Sequence, residues 1–160
     1  MATAVNEATL MQSPAWLLRG VDNLPGEMKL EAGRLSFTAH GRGSLGKSQL
    51  EKLARDAKRP DLVESMRSTG QGVVFDLPLA EATISFPWYY FSGGCKVRVD
   101  GFQHKISFGE PTEGASRLDS PEDLAFFVGL HDAAGQAGGD LREAGHMRAS
   151  GKAWKSRLLA

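Results

Sequence analysis

Cysteine occurs once in 160 residues, at Cys95, which excludes an internal disulfide and any metal site built from several thiolates. Net charge is missing too. Nineteen basic residues against nineteen acidic ones give a formal charge of zero, so no overall field draws the chain to nucleic acid, and none is expected as a partner. No run of about 18 apolar residues is present, which excludes a transmembrane helix. The first thirty residues hold Asn6, Glu7, Pro14 and Asp22 and lack the basic start and apolar stretch of a secretory signal. These absences lead to the expectation of a cytoplasmic protein, free or at a membrane surface, with neither metal nor organic cofactor.

What is present suffices for one buried core, since 41% of residues are hydrophobic and 24% charged. Residues 1–13 mix small and polar side chains without a period, which predicts a loose lead-in, with the fold beginning near Trp16. Over 26–39, Met28 and Leu30 alternate with Lys29 and Glu31, and Leu35 and Phe37 with Ser36 and Thr38. This pattern predicts two half-buried strands joined at Glu31-Ala32-Gly33. The period then changes: Leu50, Leu53, Ala54 and Ala57 take helical spacing, Pro60 ends that helix, and a shorter one follows in DLVESM. Val73-Val74-Phe75 and Ala82, Ile84 and Phe86 predict further strands. Cys95, Val97 and Val99, then Asp100-Gly101, then Phe102, His104, Ile106 and Phe108 give the strongest hairpin signal in the chain. A two-residue loop there sets Val99 opposite Phe102 and Val97 opposite His104.

Ser120-Pro121-Glu122-Asp123 reads as a helix start, with a serine cap, a proline at the first position and two acids at the positive end of the dipole. Beyond the glycines at 135, 138 and 139, Arg142, Arg148, Lys152, Lys155 and Arg157 surround Trp154, Leu158 and Leu159. This suggests a basic amphipathic helix expected to pack back on the domain. The organisation expected is a lead over 1–13, a domain over 14–134 and a basic tail over 135–160. The fold class is mainly β (α+β): a bent antiparallel barrel or sandwich with a helical insertion at about 47–67 and a closing helix near the C-terminus.

GEMKLEAGRLSFTA (26–39), with its two alternating strands and R-L-x-F ending, resembles the opening of GRAM and bacterial pleckstrin-homology-like domains. VVFDLPLAEATISF (73–86) and KVRVDGFQHKISF (96–108) are similar to their middle and final strands, and the helix from Ser120 falls where that fold has its closing helix. The resemblance spans roughly 16–133. It implies a non-enzymatic binding module for phosphoinositide head groups, other lipids or protein segments. It also implies basic residues around the first strand pair, where this chain has Lys29 and Arg34.

Four constellations compete for a functional role. Phe86 to Phe91 hold five of thirteen aromatic residues, and alternation buries only about half of such a run. Trp88, Tyr89, Tyr90 and Phe91 are therefore either a contact patch, for a partner or for another copy of the chain, or a plug at one end of the barrel. On one face of the hairpin, Lys96 is set opposite Lys105 with Arg98 beside them, an arrangement suited to an anion or a neutralising carboxylate. On the other face, Cys95 and His104 lie one diagonal step apart among Val97, Val99, Phe102, Ile106 and Phe108. That setting reads as a buried inert thiol and a hydrogen-bonded core histidine rather than a nucleophile and base.

The fourth constellation is Gly41-Arg42-Gly43-Ser44-Leu45-Gly46-Lys47-Ser48, which satisfies the P-loop pattern letter for letter, with Asp76 as a second magnesium ligand. It gives the alternative reading, a small nucleotide-binding protein using Gly41, Gly46, Lys47 and Ser48. Against it, RLSFTAH (34–40) alternates, whereas a strand covered on both faces reads as a continuous apolar run.

Overall fold

The computed structural model describes residues 10–20, 22–87, 93–109 and 139–159. Alternation governs the strands. In β2 (Asp22–Glu31), Leu24, Met28 and Leu30 turn inward, and in β3 (Arg34–His40) Leu35, Phe37 and Ala39 do the same. Two helices follow, α1 (Lys47–Asp56) and α2 (Leu62–Thr69), burying Leu50, Leu53, Ala54, Leu62 and Met66 on the faces the helical spacing predicted. β4 (Gln71–Pro78), a short 3-10 turn (Leu79–Glu81), β5 (Thr83–Ser85), β6 (Gly94–Val99) and β7 (Phe102–Ser107) come next. A helix, α3 (Gly139–Leu158), lies at the C-terminus. The helix expected from Ser120 lies outside the described residues.

The described residues are mainly antiparallel β with three α-helices, the expected fold class. Among the described residues seven strands, the first being β1 (Met11–Arg19), form one sheet in the order β4-β3-β2-β1-β7-β6-β5, each neighbouring pair antiparallel. β1 sits at its centre and corrects the expectation of a loose lead through residue 13. It pairs with β2 from Met11 onward and with β7 through Trp16–Leu18.

The sheet is strongly bent. β4 and β7 stand four places apart, about 19 Å in a flat sheet at 4.8 Å per strand. Yet the rings of Phe75 on β4 and His104 on β7 are 5.3 Å apart, so the two wings of the sheet face each other across a shared core. A bulge at the Phe37/Thr38 register shift helps the bend and buries Val74 and Phe75 together. Among the described residues β4 pairs only with β3 and β5 only with β6, so the barrel stays open along one seam.

The interior has two ends. At one, α3 inserts Trp154, fully buried, its ring stacked 6.1 Å from Phe108 and its Nε1 donating to Ser13 Oγ at 2.8 Å. At the other, α1 brings Asp56 to Arg19, the last residue of β1.

Candidate functional site

The β6–β7 hairpin has the predicted register. Asp100 and Gly101 occupy the left-handed region at φ 50° and 82°, the conformation a two-residue turn of this kind requires. Val99 faces Phe102, Val97 faces His104, and Lys96 faces Lys105. Arg98 lies on the same outer face, opposite Gln103 and exposed. Three cationic side chains are thus held together by backbone pairing. Sequence reasoning missed what borders them. Leu18 pairs with Lys105 and Trp16 with Ser107, so two half-buried apolar side chains of β1 flank the basic row. Phe86 and Pro87 are half-buried, whereas Trp88, Tyr89, Tyr90 and Phe91 lie outside the described residues.

The inner face holds Cys95, which pairs with Ile106, and His104. Burial pushes the Cys95 thiol well above its ordinary range, so it stays protonated and is no nucleophile. Burial is also the main cause of a His104 pKa lowered to about 4. The Arg19 charge works in the same direction and Asp56 works against it. The imidazole is 2% exposed between Phe75 and Phe102, and neither ring nitrogen has a hydrogen-bond partner among the described residues. The expected core histidine is therefore in place, but without its expected hydrogen bond.

The glycine-rich loop does join a strand to a helix, β3 to α1, as a P-loop does. Its chemistry is different. A phosphate cradle needs free backbone N–H groups. Here Gly41 N–H donates to Gly70 O at 2.8 Å, Ser44 N–H to Asn23 O at 3.2 Å and Leu45 N–H to Arg42 O at 3.0 Å. Ser44 Oγ accepts from Asn23 N–H, and Leu45 is buried in the core. Asp76 pairs with Ser36, four residues before the end of β3 and so about 13 Å back from the loop at 3.3 Å per residue. Its carboxylate accepts from Arg34 Nε at 3.0 Å. Lys47 and Ser48 are exposed at the start of α1.

The cations of the first strand pair are likewise engaged. Arg34 is held by Asp76, and Lys29 Nζ lies 2.8 Å from Glu31. That hydrogen bond and the Glu31 charge raise the lysine pKa. The hairpin's outer face, by contrast, gathers three cations, Lys96, Arg98 and Lys105, in one row.

No family model, no curated protein and no solved structure matches this chain. No helix among the described residues is long and apolar enough to cross a membrane, and no group of His, Cys, Asp and Glu among them is arranged to hold a metal ion.

Proposed function

We propose that this protein is a non-enzymatic binding module that docks an anionic group on the outer face of the β6–β7 hairpin, with Lys96, Arg98 and Lys105 as its contacts. One observation carries the reading: the strand register sets Lys96 directly against Lys105, beside Arg98. A row of cations fixed on one face of a sheet raises the local potential and attracts an anionic group. Trp16 and Leu18 beside the row give the face the mixed basic and apolar character suited to the interfacial zone of an anionic bilayer. The bent antiparallel sheet with a helix plugging one end supports kinship with GRAM and pleckstrin-homology-like domains. Phosphoinositide head groups are accordingly the first ligands to test.

The experiment is titration calorimetry with inositol phosphates beside co-sedimentation with phosphoinositide-containing and neutral vesicles. Each basic residue near an anionic surface contributes about 1 kcal/mol. Lys96→Glu with Arg98→Glu should therefore weaken vesicle binding by at least about tenfold, and the wild-type interaction should fall with added salt. Absence of both heat and sedimentation with any anionic probe rejects the reading and leaves a protein partner as the occupant.

A further inference from the structure

We propose that the edge of β5 binds an extended segment of a partner protein as a further strand of the sheet, one in which acidic and apolar side chains alternate. The site adjoins the anion-docking face without resting on it, because its hydrogen bonds come from the backbone.

The two edges of the sheet are built differently. On β4 the Gln71 carbonyl accepts from Ser65 Oγ at 2.8 Å and Thr69 Oγ1 at 3.1 Å, the Asp76 carbonyl accepts from Arg34 Nη2 at 3.3 Å, and Pro78 has no N–H to offer. Side chains and a proline blunt such an edge against further pairing. The backbone of β5 is oriented by the hairpin beside it. Phe108 N–H donates to Gly93 O at 2.9 Å, and bonded pairs alternate along an antiparallel ladder. Cys95, Val97 and Val99 therefore turn their backbone groups to β7, while Lys96 and Arg98 turn theirs to β5. Thr83 and Ser85, opposite Arg98 and Lys96, bond to β6. Ile84 between them presents both its N–H and its C=O to the open side, and Ala82, also extended, adds its C=O. None of these three groups has a partner among the described residues.

Side chains define the sequence of the guest strand. Residues directly opposite one another in a ladder point to the same face. A residue opposite Ile84 therefore lies on the inner face, where Ala82, Ile84 and Phe86 form a half-buried apolar margin of the core. Its two neighbours lie on the outer face, opposite Thr83 and Ser85. The one beside Thr83 is about 10 Å, two strand spacings, from Arg98, within the combined reach of a glutamate and an arginine side chain. Arg98 is exposed and forms no ion pair among the described residues. Backbone pairing thus supplies the affinity, and an apolar position flanked by acidic ones supplies the specificity.

The test titrates the full chain, without vesicles, with the peptide Glu-Val-Glu-Ile-Glu-Val-Glu, acetylated and amidated at its ends, and follows backbone amide exchange by NMR. In the free protein the Ile84 amide should exchange at least about tenfold faster than those of Thr83 and Ser85, and saturating peptide should remove the difference. Methylating the isoleucine nitrogen of the peptide removes the donor to Ile84 O and should weaken binding at least about tenfold. The counterpart Lys-Val-Lys-Ile-Lys-Val-Lys should bind the wild type at least about tenfold more weakly, and Arg98→Glu should reverse that preference. Ile84→Pro should weaken the glutamate peptide at least about tenfold while vesicle binding stays within about twofold, so the strand edge and the anion-docking face fail separately. Proline suits this position because the N–H it removes points away from β6. Should Ile84→Pro fail to fold, the methylated peptide carries the test on the wild-type chain. No saturable binding of the glutamate peptide overturns the proposal, and so does equal binding of the methylated or the lysine peptide. An Ile84 amide already protected in the free protein, with a doubled mass in solution, would give the edge to a second copy of the chain and overturn it as well.

Discussion

His104 shows how one side chain can set the acid limit of the whole fold. The unfolded chain binds the imidazole proton near the ordinary 6.5, whereas the folded chain binds it only near pH 4. Between those values the unfolded state holds more protons, so stability is full above about pH 6.5 and is lost as the pH falls toward 4. At 1.36 kcal/mol per pKa unit, the loss across that window is about 3 kcal/mol. Urea midpoints measured from pH 7 to pH 4 should fall accordingly, and His104→Phe should remove this part of the slope while leaving the pH 7 stability at least equal. A slope unchanged in the variant would mean that carboxylates elsewhere govern acid unfolding. The alternation from Cys95 to Phe108 made the placement of Cys95 and His104 legible, because a two-residue turn leaves the register no freedom. The missing hydrogen bond was not legible, since the rings that enclose the imidazole include one from β4, about thirty residues upstream.

Elements were legible where side-chain period and turn chemistry agreed, as in β2, β3, α1 and the β6–β7 hairpin. β1 shows why agreement matters. Its inward positions are Ser13, Ala15, Leu17 and Arg19, whereas Trp16 and Leu18 point outward, so the apolar pattern is partly inverted and reads as no strand at all. The inversion has a cause at each end. Ser13 turns in because its hydroxyl accepts from Trp154, and Arg19 turns in because Asp56 and Phe102 receive it. The tail was expected to pack back through its tryptophan, and Trp154 does so. Trp154→Ala should cost about 3–5 kcal/mol in urea unfolding. Trp154→Phe keeps a ring over Phe108 but drops the indole donor, and should cost less. A cycle with Ser13→Ala should return a coupling of about 1 kcal/mol, the net worth of one buried hydrogen bond. Zero coupling would leave stacking alone to hold α3 to the sheet.

At the scale of the molecule, the sheet bends as the expected fold class has it, but that β4 would come to face β7 was written in no local pattern. The segment 41–48 is a case where the letters of a motif and the physics of the fold part company. Its glycines serve the approach of one loop to another. Gly43 has φ +55°, and a Cβ there would lie 2.4 Å from Asn23 O, a backbone atom that cannot yield cheaply. Gly43→Ala should therefore lower stability by more than the 1–2 kcal/mol of left-handed strain alone, because the clash adds to it. Lys47, exposed, should tolerate alanine with a change within about 0.5 kcal/mol. A phosphate-cradling loop gives the opposite signature: Lys47→Ala abolishes ligand-induced stabilisation, and magnesium-ATP or magnesium-GTP at a hundred times its dissociation constant raises stability by about 2.7 kcal/mol. With three amides of the loop donating to protein carbonyls, neither nucleotide should move the melting temperature of the wild type or of Lys47→Ala. A nucleotide-dependent rise lost in Lys47→Ala would require those three hydrogen bonds to open, and would restore the nucleotide-binding alternative.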